Sequence, residues 1–77
     1  MAEVRMPQWG MNMTEGYIVE WYKAVGDRVE AGEPLAGIEA AKAANDLEAP
    51  VAGVLSRIIV AADESAPVQA VLAIIDE

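Results

Sequence analysis

Residues 38–50 read Ile-Glu-Ala-Ala-Lys-Ala-Ala-Asn-Asp-Leu-Glu-Ala-Pro, and this stretch decides how the fold is interpreted. We interpret it as two strand arms that meet at a tight turn, with Lys42 at or beside the tip. In that arrangement Ile38 and Leu47 would both point inward. The Glu/Ala/Lys composition also favours a helix, but Pro34 and the proline that ends the stretch leave too little room for a helix and its connections. The sequence therefore predicts a hairpin.

Short strand patterns separated by turn residues continue on both sides of the hairpin. Predicted strands cover residues 3–6, 17–23, 28–29, 35–39 and 45–49. Strict alternation within residues 17–23 places Ile18 and Trp21 on opposite faces, although both are expected in the core. Short, regularly spaced strands with turns between them are typical of an all-β protein.

An internal repeat accounts for the second half of the chain. A shift of 37 positions lays Gly16 on Gly53, and it also matches hydrophobic positions in both halves. The further matches are Ile18 on Leu55, Trp21 on Ile58, Leu35 on Leu72 and Ile38 on Ile75. Two copies of one unit predict a closed domain rather than a solenoid. We predict one domain, residues 1–77: a flattened all-β barrel or sandwich of two small antiparallel sheets with a pseudo-twofold repeat. The lysine turn is expected at the opposite end from the termini.

Composition excludes several classes of function. The 77-residue chain carries a net charge of −8 and has a pI near 4.2, which disfavours nucleic acid and anionic membranes as partners. It has neither His nor Cys, so it lacks the usual general base, the most reactive nucleophile and the ligands of typical zinc sites. We predict no catalytic residue and no metal site. Any reactive group would therefore have to be attached covalently, which makes Lys42 the residue of interest.

Compartment follows from the same composition. No apolar run approaches the length of a membrane span, and the first residues do not resemble a signal peptide. The absence of cysteine fits a reducing compartment. We expect a cytoplasmic protein in a bacterium, or a protein of the mitochondrial matrix.

The segment before the predicted strand at residue 17 is rich in large apolar residues for a loop. It consists of Trp9, Gly10, Met11, Asn12, Met13, Thr14 and Glu15. One interpretation is that these residues cap one end of the core. The other is a partner-contact patch, since aromatic and Met side chains are enriched at binding surfaces. The sequence leaves both interpretations open.

Four motifs in order give the chain a family resemblance. They are Met6–Gly10, Glu15–Trp21 (Glu-Gly-x-Ile-x-x-Trp), Gly26–Gly32 (Gly-Asp-x-Val-x-x-Gly) and Glu39–Pro50. With this spacing the chain resembles the lipoyl domains of the acyltransferase components of 2-oxo acid and acetoin dehydrogenase complexes. The resemblance covers nearly the whole chain. It implies a non-catalytic carrier domain whose Lys42 is joined to lipoate through an amide.

The resemblance also implies partners. They would be a lipoate ligase, a thiamine-dependent dehydrogenase that acylates the arm reductively, an acyltransferase core that passes the acyl group to coenzyme A, and a dihydrolipoamide dehydrogenase. It further implies that Trp9–Glu15 lies beside the lysine turn as a specificity loop. Glu39, Ala41 and Ala43 would help partners to recognise the turn.

The sequence departs from the family pattern at three positions, and two alternatives to a lipoyl carrier stay open. Ala41 occupies a position where the resembled family commonly has Asp, and Asp63 and Gln69 replace turn glycines in the second copy. Gln69 is expected to bring strain or a different turn shape. A biotinyl carrier shares the expected fold, but its lysine is usually flanked by methionines rather than alanines. An unmodified β-sandwich interaction module is the third hypothesis.

Overall fold

A computed structural model describes residues 1–40 and 43–77 as β-strands joined by turns. The strands in these ranges are β1 (Ala2–Arg5), β2 (Glu15–Trp21), β3 (Arg28–Val29), β4 (Pro34–Ala40), β5 (Ala43–Glu48), β6 (Gly53–Ile58), β7 (Ser65–Pro67) and β8 (Val71–Asp76). The two arms of the predicted hairpin are therefore strands, β4 and β5. Ala41 and Lys42, which connect the arms in sequence, lie outside the described residues. Across the described ranges, the model has no helix of the length and apolar character that a membrane span requires.

The strands form two antiparallel sheets of four. The order is β1-β8-β6-β3 in one, which we call the terminal sheet, and β5-β4-β2-β7 in the other, which we call the hairpin sheet. Exchanging β1 with β5, β2 with β6, β3 with β7 and β4 with β8 converts the first order into the second. Each half of the chain thus contributes strands to both sheets. The predicted all-β class, its two antiparallel sheets and its pseudo-twofold repeat are confirmed.

The core lies between the two sheets and consists of apolar side chains. The largest fully buried ones are Val4, Met6, Ile18, Val29, Leu35, Ile38, Leu55, Leu72 and Ile75. Three pairs that the repeat aligns are among them: Ile18 with Leu55, Leu35 with Leu72, and Ile38 with Ile75. Burial of these side chains is the main favourable term for so small a domain.

Strand β2 departs from simple alternation. Its register against β4 shifts between Ile18 and Glu20, which marks a β-bulge, and the equivalent part of β6 shifts in the same way against β8. The prediction that Ile18 and Trp21 face opposite sides is wrong, because the extra residue turns the end of the strand. Trp21 packs against the core, and its indole N–H donates to the carbonyl oxygen of Val60 at 2.9 Å.

The turns of the two repeat copies have the same backbone hand. Gly26 and Gly32 in the first copy have φ angles of 99° and 84°, and Asp63 and Gln69 in the second copy have 69° and 73°. The shift of 37 positions aligns Gly26 with Asp63 and Gly32 with Gln69. The second copy therefore keeps the left-handed turns without glycine. Of the two outcomes considered for Gln69, the structure shows the strained one, because a side chain with a Cβ is unfavourable in this region.

Candidate functional site

The β4–β5 hairpin is buried at one end and exposed at the other. Ile38 on β4 and Leu47 on β5 are 1% and 4% exposed, respectively. At the other end of the two strands, Ala40 pairs with Ala43, and residues 43–46 are all exposed. The core therefore fixes the base of the hairpin, while residues 43–46 face solvent.

The β1–β2 loop (residues 6–14) folds around one methionine. The N–H of Met13 donates to the carbonyl oxygen of Gly10 at 3.1 Å, and the N–H of Trp9 approaches the Met13 sulfur at 3.4 Å. Met13 is only 9% exposed, whereas Met11 is 96% exposed and Trp9 is 42% exposed. Each interpretation of this loop thus applies to different residues. Met13 belongs to the core, and Trp9 and Met11 face solvent.

The loop and the hairpin meet at a groove of about 370 Å3. The groove is lined by Trp9, Gly10, Met11, Asn12, Met13, Ala40 and Ala43. Its two alanines are the residues that immediately precede and follow Ala41 and Lys42 in the sequence. The structure therefore brings the loop against both arms of the hairpin at the point where the described residues stop.

A tyrosine ties the outer strand of the hairpin to the centre of the sheet. The hydroxyl of Tyr22, which directly follows β2, donates to Asp46 Oδ1 on β5 at 3.0 Å. Between them lies Gly37 on β4, where an added Cβ would be 2.8 Å from the tyrosine oxygen. The hydrogen bond to Asp46 raises the pKa of Tyr22 above its usual 10.0, with desolvation as a further cause. Nothing in the sequence pairs these residues, although a glycine inside a strand signals close approach of another group.

Lys23, one of the two lysines in the sequence, is engaged in an ion pair. Its Nζ lies 2.6 Å from a carboxylate oxygen of Glu33, and both side chains are about one-quarter to one-third exposed. Glu33 also accepts a hydrogen bond from the N–H of Glu30 at 2.9 Å. The contact with Glu33 raises the pKa of Lys23, and the contact with Lys23 lowers the pKa of Glu33. The amine of Lys23 is therefore protonated and held by a neighbour.

Charge is divided unequally between the two sheets. The four described strands of the hairpin sheet carry Glu15, Glu20, Glu39, Asp46 and Glu48 and contain neither Lys nor Arg. The strands of the terminal sheet carry Arg5, Arg28 and Arg57 together with Glu3 and Asp76. The hairpin sheet is therefore the more acidic of the two sheets in the described strands.

The predicted recognition residues occupy two places. The five loop residues 9–13 and Ala43 meet in the groove. Thr14, Glu15 and Glu39 are exposed but do not belong to the described lining of the groove. Glu39 lies directly across the sheet from Tyr17. Sequence reasoning missed Ala40 as a groove residue, and its position one residue inside the turn was the available signal.

The chain was compared with known proteins. The biotin/lipoyl family model, described as "Biotin-requiring enzyme", matches residues 2–75. The chain is similar to a dihydrolipoyllysine-residue acetyltransferase component of the acetoin cleaving system from Pseudomonas putida. The two are 42% identical over 72 residues, which is 94% of this chain and 20% of that protein.

Two further relatives belong to pyruvate dehydrogenase complexes. A dihydrolipoyllysine-residue acetyltransferase component from Corynebacterium glutamicum is 42% identical over 72 residues, 94% of this chain and 11% of the relative. A chloroplastic component from Arabidopsis thaliana is 39% identical over 77 residues, all of this chain and 16% of the relative. The chain thus spans about a fifth or less of the length of these curated relatives.

Proposed function

This chain belongs to the biotin/lipoyl family, and from that premise we propose that residues 1–77 are a lipoyl carrier domain with lipoate in amide linkage to Lys42. The observation that supports this best is local. The hairpin has a buried base, and the solvent-accessible ends of its two strands lie on either side of residues 41–42. The other lysine of the sequence, Lys23, is held by Glu33 at 2.6 Å. The domain would contribute no catalytic group of its own.

Lipoate is favoured over biotin as the attached group. The relatives described above are all named for a dihydrolipoyllysine residue, although the family description mentions biotin. The individual relatives are the more specific comparison, because they match this chain at about 40% identity. Alanines on both sides of Lys42 in the sequence agree with that choice.

The protein itself would serve to position the lipoyl arm. When attached, lipoate supplies a dithiolane that accepts an acyl group together with two electrons. The hairpin holds the attachment point on a rigid base, and tethering raises the effective concentration of the arm at each site it visits. A thiamine-dependent dehydrogenase, an acyltransferase core and a dihydrolipoamide dehydrogenase are the proposed partners, in the bacterial cytoplasm or mitochondrial matrix. Trp9, Met11 and the exposed Glu39 are proposed contacts for these partners.

Intact mass spectrometry after co-expression with a lipoate ligase or a biotin ligase tests the proposal. We expect one lipoyl adduct with the first ligase and none with the second. Lys42→Arg should abolish the adduct and leave a folded domain, while the matched variant Lys23→Arg should keep the adduct. A biotin adduct, or a lipoyl adduct that persists in Lys42→Arg, would overturn the assignment.

Ala41 can be examined in the same assay, because it stands where the resembled domains commonly have Asp. We expect the wild-type chain to accept lipoate with Ala at this position. A chain that is lipoylated only after Ala41→Asp would show that its natural turn is not read by the ligase.

A further inference from the structure

We infer that the groove between the β1–β2 loop and the hairpin is a resting site for the lipoyl chain that is attached to Lys42. By acyl chain we mean this lipoyl chain or an analogue attached in the same way. This inference rests on the proposed function, because it needs an attached chain. Its occupant is part of the modified chain itself rather than a separate ligand.

The groove is next to the attachment point along the chain. Ala40 and Ala43 line the groove, and each lies within two residues of Lys42 in the sequence. Consecutive Cα atoms are about 3.8 Å apart, so the attached chain starts from a residue that is one peptide bond away from a groove residue. The bound state therefore does not require a long search.

The chemistry of the groove lining suits an alkyl chain. The lining consists of Trp9, Met11 and Met13 with two alanines, a glycine and an asparagine, and it includes no ionisable side chain. Alkyl groups gain free energy when they leave water for such a surface. Thioether and indole groups also make favourable contacts with sulfur and with apolar chains. A volume of about 370 Å3 lies within the usual range for small-molecule sites.

The neighbouring groove is less suitable for an alkyl chain. A second groove of about 410 Å3 runs between β1 and β5, and Trp9 contributes to both. Charged side chains line this second groove: Glu3, Arg5, Asp46 and Glu48. Covering charged groups with an alkyl chain is costly. The apolar groove is therefore the favoured site, although the other is slightly larger.

The loop wall of the groove is already formed before a chain binds. The loop wall is held by Met13, whose side chain is buried and whose N–H is bonded to Gly10 at 3.1 Å. A groove that is already formed requires little ordering when the chain enters. In the resting state the acyl chain would cover part of Trp9 and Met11. A partner that binds those two side chains would displace the chain into solvent.

Nuclear magnetic resonance of the nitrogen-15-labelled domain tests this inference. The chain is modified with octanoate, which has no redox chemistry, and intact mass verifies the adduct. We expect the indole N–H resonance of Trp9 to shift on modification. The indole N–H of Trp21 is the internal reference, because it is bonded to Val60 at 2.9 Å and should not move.

A matched pair of variants sharpens the test. Met11→Asp changes a side chain that is 96% exposed and should reduce the shift of Trp9 without unfolding the domain. Val25→Asp adds the same charge at an apolar position that is 58% exposed and does not belong to the described groove lining. It should leave the shift unchanged.

The outcomes separate the two proposals. A verified adduct with an unmoved Trp9 resonance, or equal effects of Met11→Asp and Val25→Asp, would overturn the resting site alone. A shift that depends on protein concentration would assign the groove to a second copy of the chain and would also overturn it. Failure to form both this octanoyl adduct and the lipoyl adduct of the ligase assay would overturn the carrier function and the resting site with it.

Discussion

The hydroxyl of Tyr22 bonds to Asp46 across β4, at a distance of 3.0 Å. Gly37 leaves the space for this contact, since an added Cβ there would lie 2.8 Å from the tyrosine oxygen. Asp46 is exposed and sits on the outer strand of the hairpin sheet. A single side chain thus connects the outer arm of the hairpin with the middle of its sheet.

Tyr22→Phe should loosen β5 selectively. Without the hydroxyl, the exposed half of this strand loses its hydrogen bond to Tyr22 and keeps its backbone pairing with β4, so local opening becomes more frequent. We expect faster amide hydrogen exchange in residues 43–46, with little change in the core strands. Tyr17→Phe is the control, because Tyr17 bonds to Asp63 rather than to β5. Equal acceleration in both variants would remove the special role of Tyr22.

Gly37→Ala should act through the same contact. The new methyl group would push the tyrosine ring away, and a flexible side chain can move at low cost. The double variant with Tyr22→Phe should therefore exchange little faster than either single variant, because coupled residues are not additive. Gly10→Ala is a suitable control, since an added Cβ there meets nothing within 4 Å. Additive effects on β5 exchange would contradict the coupling.

Alkaline pH should destabilise the domain through its two tyrosines. Hydrogen bonds to Asp63 and Asp46 raise the pKa values of Tyr17 and Tyr22 above 10.0. The protonated tyrosines are favoured in the folded state, so their contribution is complete below about pH 10 and is lost as the pH rises through the folded pKa values. Thermal unfolding from pH 8 to pH 11 measures this loss. The Tyr17→Phe, Tyr22→Phe double variant should show a weaker pH dependence, and an unchanged profile would contradict the linkage.

The sequence predicts the framework well because the framework repeats. Glycine and aliphatic positions recur after 37 residues, and the structure turns that recurrence into equivalent strands. Gly16 on β2 pairs with Ala66, and Gly53 on β6 pairs with Val29 at the equivalent place. Local hydrophobic spacing is a sufficient signal for such elements. The bulge in β2 was missed because one additional residue changes which face Trp21 occupies, and the residue types around it give no warning.

The side-chain ties around the hairpin were harder to predict. Tyr22 and Asp46 are separated by 24 residues, so only the pairing of three strands brings them together. The contact between Lys23 and Glu33 depends in the same way on how the ends of two strands are placed. The loop next to the hairpin was expected from family resemblance. Its division into buried Met13 and exposed Met11 follows from the fold of the loop and not from composition.

Alanine substitution of the paired glycines should show how tightly their surroundings are packed. At Gly53 a Cβ would overlap the carbonyl oxygen of Asp76 and lie 2.8 Å from Ile75 Cγ2. At Gly16 the closest atoms are the Met6 sulfur at 2.7 Å and Ile38 Cγ2 at 2.9 Å, and both belong to side chains. We expect Gly53→Ala to lower the free energy of unfolding by about 3 kcal/mol, and Gly16→Ala by about 1–2 kcal/mol.

Urea denaturation of both alanine variants, with the wild type as reference, measures these differences. Gly53→Ala meets rigid backbone, and Gly16→Ala meets the side chains of Met6 and Ile38, which can shift more easily than backbone. The prediction therefore concerns the order of the two effects as well as their size. A Gly16 variant that is less stable than the Gly53 variant would show that these two side chains cannot rearrange.

Gln69→Gly should stabilise the domain. Gln69 has a φ of 73°, which costs about 1–2 kcal/mol for a side chain with a Cβ, while glycine loses about 0.5–1 kcal/mol of entropy on folding. The expected gain is about 0.5–1 kcal/mol. The reverse exchange at the equivalent turn, Gly32→Gln, should cost about 0.5–1 kcal/mol by the same two terms. Urea denaturation measures both, and stabilisation by Gly32→Gln would refute the strain argument.

The uneven distribution of charge has a consequence for how the molecule moves before it touches anything. Five carboxylates and no Lys or Arg lie on the described strands of the hairpin sheet, whereas three arginines and two carboxylates lie on those of the terminal sheet. The strand framework is therefore more negative on one side than on the other. Near a positively charged surface such a body turns as it approaches, with its acidic side leading. Productive orientation would then be set at a distance, and added salt would slow encounters by shortening the range over which the molecule is aligned.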